Sequence, residues 1–156
     1  MGAVEARLAE LGVEVPGVAA PVAAYVPAVV TGNLVYTSGQ LPFVSGALPA
    51  TGKVGDGHGL VPADEAKEYA RLCALNALAA VKSQLGSLDR VTRIVKVVGF
   101  VASDPAFTGQ PGVVNGASEF IGEVFGDAGV HARSAVGVAV LPLDAPVEVE
   151  LIAEFE

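Results

Sequence analysis

Long apolar runs are missing from this chain of 156 residues: no stretch approaches the roughly 20 uninterrupted apolar residues that a membrane-spanning helix requires. Cysteine is nearly missing too, and the single Cys73 excludes a disulfide within the chain. The first residues, with Glu5, Arg7 and Glu10 among the apolar ones, lack the basic and then apolar pattern of a signal peptide. A cytoplasmic protein without a membrane partner is therefore expected. Positive charge is scarce, with 9 Lys and Arg against 17 Asp and Glu and a net charge of −8. That balance works against phosphate backbones, which are bound by clustered cations, so no nucleic-acid partner is expected. It leaves room for a small anion, because one sheltered arginine dominates its own cleft whatever the global field does. Familiar catalytic motifs are lacking as well: there is no GxxxxGKS/T phosphate loop, CxxC pair, HExxH or GxSxG elbow. His58 and His131 stand far apart and form no ligand spacing, so neither a metal nor a cofactor is expected.

Apolar residues are abundant, at 52% of the chain with a mean hydropathy of +0.55. Such an excess must be buried, and pairing subunits through an apolar sheet face is one way to do it, since monomers rarely expose large apolar patches. The length fits a single domain, 1–156, in which residues 1–22 form an N-terminal helix and connector. Val4, Leu8 and Leu11 recur at helical spacing before Gly12, and the segment from Pro16 to Pro21 reads as the connector. Runs at 23–30 and 34–38 flank Thr31-Gly32-Asn33 and predict a hairpin. The glycine-rich segment from Ser45 to Gly59 predicts a loop that could close over a site.

From Pro62 to Leu85 the pattern is helical, with Asp64 and Glu65 at the positive end of the dipole and Gly86 as the stop. Its stripe is Ala66, Tyr69, Ala70, Cys73, Ala77, Ala80 and Val81, which makes Cys73 a packing residue rather than a reactive one. The β-branched run from Ile94 to Val101 predicts a central strand covered on both faces. Val113, Ala117, Phe120, Ile121 and Val124 give a second helical stripe, ended by Gly126-Asp127. The tail predicts strands from Ala132 to Leu141 and from Val147 to Phe155, joined by the turn from Pro142 to Pro146. Neither face of the first is polar, so both want burial. The fold class is α+β, with one mostly antiparallel sheet and two long helices on one face.

One residue stands out chemically. Arg133 opens a strand of small and apolar residues, where a permanent charge needs a carboxylate, a ligand or water at the strand end. Glu148, Glu150, Glu154 and Glu156 form either a solvated face or a source of partners for Arg133, if the last two strands lie side by side.

These segments resemble a known family. The stretch HARSAVGVAVLPLDAPVEVELIAE resembles the C-terminal motif of the RidA family, also called YjgF or endoribonuclease L-PSP. Tyr25 followed by TGNLVYTSGQLP, and GFVASDPAF followed by VVNGASEFIGEVFG with Asn115, resemble its upstream segments. The likeness runs from about Tyr25 to the C-terminus, and the N-terminal helix and long loop resemble a longer subgroup.

The resemblance implies a fold similar to the trimeric type of chorismate mutase, a homotrimeric barrel with clefts between subunits. It implies hydrolysis of 2-imino acids, or their enamine tautomers, to 2-keto acids and ammonia. Arg133 would clamp the substrate carboxylate and Glu148 would hold or activate water, while Tyr25, Ser38, Gly39, Asn115 and the backbone N–H of Ala135 would line the cleft. Ala135 stands where many deaminating members have cysteine, which keeps a second reading open: a non-catalytic binder of small carboxylates. An endoribonuclease and, by fold likeness alone, a chorismate mutase rank behind these.

Overall fold

A computed structural model of the chain describes residues 2–20 and 23–156. The last residue of the expected connector, Pro21, lies outside the described residues, as does Val22. Helix α1 spans Ala3–Glu10 and ends as the glycine pattern predicts, with Gly12 at φ +68°. A carboxylate from elsewhere in the chain caps its start: Asp89 accepts from the backbone N–H groups of Gly2 (2.8 Å), Val4 (2.9 Å) and Glu5 (3.0 Å).

Strands β1 (Ala28–Thr31) and β2 (Leu34–Thr37) form the expected hairpin around Gly32, which takes φ +58°. Helix α2 runs Ala63–Leu85 and α3 Gln110–Phe125; Gly86 and Gly126, at φ +81° and +59°, end them. Strand β3 is Val91–Ala102, β4 is Ala132–Val138 and β5 is Val147–Phe155. The sheet order is β1-β2-β5-β3-β4. It is a mixed sheet: β3 and β4 are parallel and the other neighbours antiparallel. A parallel pair requires a crossover, and α3 provides it.

The order corrects the expected adjacency of the last two strands. The turn at Pro142–Asp144 carries the chain across β3 instead of folding β5 onto β4. β4 is also shorter than expected and ends at Val138, with Ala139 and Val140 leaving the ladder.

Both long helices pack on one face of the sheet. Val35, Val97, Val101, Val147, Val149, Leu151 and Ala153 meet the α2 stripe and the α3 residues Val113, Ala117, Phe120 and Ile121 in one core. Burial of this kind contributes roughly 25 cal/mol for each Å² of apolar surface removed from water. Helix α3 comes so close to α2 that a Cβ on Gly116 would collide with the Lys67 carbonyl, its carbon 2.8 Å away. The opposite sheet face carries Tyr36, Val98, Phe100, Val136 and Ile152 with Lys96, Glu148 and Glu150. The chain itself leaves much of that face open, and Tyr36 and Val136 are 43% and 44% exposed.

The middle of the glycine-rich loop is stitched down. Val54 is fully buried, donates to the Ala102 carbonyl (2.7 Å) and accepts from Asp104 N (2.9 Å). Lys53 forms an ion pair with Asp144. This segment is an anchored strap rather than a free flap. No described helix is long and apolar enough to cross a membrane.

Candidate functional site

Arg133 lies near the start of β4, its side chain on the helix-covered face and half-buried. Nη1 donates to Asn115 Oδ1 (2.8 Å) and to Ser118 Oγ (3.2 Å), both on α3, and Nη2 donates to the Pro111 carbonyl (3.3 Å). All three acceptors are neutral. Among the described residues no carboxylate comes within ion-pair distance of this guanidinium. Three of its five N–H groups are thus spent, and the Nε–H with the second Nη2–H find no protein acceptor among the described residues. That pair forms one edge of the guanidinium plane, spaced to match the two oxygens of a carboxylate.

A second cluster lies on β5 and the chain leading into and out of the hairpin. Glu148 shares a small cleft with Tyr25, Pro27, Gly39, Leu41 and Phe43. Gly39 gives the Glu148 carboxyl room: a Cβ there would meet its Cδ at 2.7 Å and push that side chain aside. Burial first, and the neighbouring Glu150 second, push the Glu148 carboxyl above the ordinary glutamate value. Ser38 spends its hydroxyl proton on the Val26 carbonyl (2.6 Å), which ties the chain beside Tyr25 to the end of β2. Ala135 pairs with Gly99 of β3 in register and packs against the core.

The structure brings Arg133 and Asn115 together, and it brings Tyr25, Gly39 and Glu148 together. It does not join the two groups within one chain. Arg133 registers with Val97 and Glu148 with Phe100, on opposite sides of β3. At strand spacings of about 4.8 Å and rises of about 3.3 Å per residue, their backbones stand roughly 10 Å apart in each direction. Their side chains also point to opposite faces, since Arg133 reaches α3 while Glu148 alternates with core Val147 and Val149. The expected pairing of Arg133 with a glutamate of β5 is therefore corrected: β3 intervenes.

Three positions escaped the sequence reading. Ser118 and His131 join Arg133 in a hydrogen-bonded row, with Ser118 Oγ 2.8 Å from His131 Nε2 and His131 Nδ1 2.6 Å from the Gly129 carbonyl. Asn76, buried on α2, donates through Nδ2 to the Leu41 (2.9 Å) and Phe43 (3.1 Å) carbonyls and fixes a wall of the Glu148 cleft. Its signal was available, as the one amide set in the apolar stripe of α2. The Ser118 and His131 signal was not, because only the fold brings a helix and a strand end together. Cys73 is fully buried, and burial raises its thiol pKa well above the usual range, in keeping with packing. His58 is exposed in the loop.

Known proteins share this architecture. A family model described as "YjgF/chorismate mutase-like, putative endoribonuclease" matches residues 5–155. Protein TCP17 of Trypanosoma cruzi is 46% identical, over 98% of this chain and 94% of that protein. A crystal structure of a protein from Agrobacterium tumefaciens is 47% identical and superposes with a TM-score of 0.89, over 99% of this chain and 93% of that one. Escherichia coli TdcF, solved with bound serine, is 29% identical with a TM-score of 0.63, over 90% of this chain and 93% of that one. With the family motif matched along almost its whole length and the α+β architecture shared, the chain belongs to the YjgF/RidA family.

Proposed function

We propose that the protein hydrolyses 2-imino acids, or their enamine tautomers, to 2-keto acids and ammonia, in a cleft that neighbouring copies of a homotrimer build together. The observation that carries this reading is the Arg133 guanidinium, held by neutral acceptors with a two-pronged edge left for an anion. The serine bound by TdcF has the carboxylate and nitrogen of an amino acid, the groups such a clamp would hold.

Fixing the carboxylate sets the C=N carbon in place for water. Glu148 takes a proton as the water oxygen bonds to that carbon and the C=N electron pair moves to nitrogen. Glu148 passes that proton to nitrogen, the hydroxyl of the tetrahedral intermediate then gives up its own proton to the amine as its electrons form the C=O bond and the C–N bond breaks, and ammonia leaves the 2-keto acid behind. A carboxyl whose pKa burial raises is the better proton acceptor for this exchange. Because Arg133 and Glu148 lie on opposite faces of one sheet, the reaction needs Glu148 from one copy and Arg133 from the next. The half-open apolar face provides the surface on which copies would meet.

Ala135 favours a second reading, a non-catalytic carboxylate binder, since no thiol is present at that strand position. The decay of freshly generated 2-iminobutanoate, measured with and without protein, separates the two. Acceleration that Glu148→Gln abolishes while 2-ketobutyrate still binds is the enzymatic outcome. Binding without any acceleration is the other, and a protein that does neither sinks both.

A further inference from the structure

We propose that Ser118 and His131 are positioning residues that lock the Arg133 guanidinium in one rotation, so that its Nε and Nη2 edge is the one offered to the anion. The inference rests on the carboxylate-binding reading above and adds how the clamp is aimed.

Hydrogen-bond bookkeeping gives the row a direction. The Gly129 carbonyl can only accept, so His131 Nδ1, 2.6 Å away, carries the proton. In the neutral ring Nε2 is then an acceptor, and among the described residues the donor facing it, at 2.8 Å, is the Ser118 hydroxyl. With its proton committed to His131, Ser118 Oγ presents lone pairs to Arg133 Nη1 at 3.2 Å. Every link points one way, from guanidinium to hydroxyl to imidazole to carbonyl.

The consequence for Arg133 is an occupied end. Asn115 Oδ1 and Ser118 Oγ take the two Nη1 protons, and Pro111 O takes one from Nη2. A hydroxyl free to rotate could turn its own proton toward the arginine and repel it. His131 removes that option by engaging the proton, and the Gly129 carbonyl fixes the ring in turn. These groups sit on three separate elements: Ser118 on α3, Gly129 in the 3-10 turn Gly126–Gly129, and Arg133 on β4. The row therefore also ties the helix to the strand that bears the clamp.

Calorimetry with 2-ketobutyrate on the intact protein tests this. Ser118→Ala should weaken binding about tenfold, the loss of one charge-assisted hydrogen bond, and Ser118→Thr, which keeps the hydroxyl, should restore most of it. His131→Ala should weaken binding less, and the double variant should be no worse than Ser118→Ala, because His131 acts through Ser118. Unchanged binding in Ser118→Ala, or additive losses in the double variant, overturns the relay while leaving the carboxylate site standing. No binding by the parent protein overturns both. A measurement free of substitution is the nitrogen NMR signature of His131 at mildly alkaline pH: the proton is expected on Nδ1, and a proton found on Nε2 overturns the relay.

Discussion

Arg133 and Glu148 are each defined by what their surroundings deny them. Arg133 meets no counter-charge among the described residues, so its replacement tests geometry as much as charge. Arg133→Lys keeps the charge but loses the planar fork, and 2-ketobutyrate binding should fall by about ten- to a hundredfold, as read by calorimetry. Glu148 is denied full hydration, and its raised pKa has a sign that can be followed through stability. The folded state holds this proton more tightly than the unfolded chain does, so the group's contribution is complete below the ordinary value of 4.5 and is lost as pH rises through the raised value. Glu148→Gln should therefore melt higher than the parent at neutral pH, with the gap closing in acid. A gap independent of pH would contradict the burial argument. In catalysis the same substitution should cost about 10²- to 10⁴-fold in kcat, the usual worth of a general base.

At the scale of elements, α1 is held by a long-range cap, and its docking is titratable. The N–H groups it binds, that of Glu5 foremost, hold the Asp89 carboxyl below its ordinary value. The stabilisation is present above that value, 3.8, and disappears as pH falls through the lowered one. Asp89→Asn should speed amide exchange at Ala3–Glu10 severalfold while leaving α2 and α3 unchanged. The elements themselves were largely legible in the sequence. Gly86 and Gly126 stop helices whose stripes recur at 3.6 residues, and the apolar run of β3 reads as a central strand, although the chain covers only its helix-facing side and leaves Val98 and Phe100 half-buried on the other. Strand order was not legible: a proline-bounded turn before β5 looks like a hairpin, yet β3 lies between β4 and β5 and pairs with both. The site was half legible for the same reason. Arg133 and Glu148 betray themselves as charges among apolar neighbours, whereas Ser118 and His131 acquire meaning only once α3 lies beside β4.

For the whole molecule, the half-open sheet face is the feature that asks for a partner. Val136, Val98, Phe100 and Ile152 would leave water if copies packed there, and the protein should sediment as a trimer. Val136→Glu, placing charge on that face, should shift the population toward single chains without unfolding them; a parent protein that sediments as one chain at micromolar concentration would remove the proposed cleft.

Because the cation and the carboxyl project from opposite sides of one sheet, damage to either should be curable by a neighbour. Chains crippled by Arg133→Ala and chains crippled by Glu148→Gln, each inert alone, should regain part of their turnover when unfolded together and refolded as a mixture, since some seams in the hybrid assemblies would receive both healthy halves. Genetic complementation between two dead alleles would be the cellular signature of the same geometry.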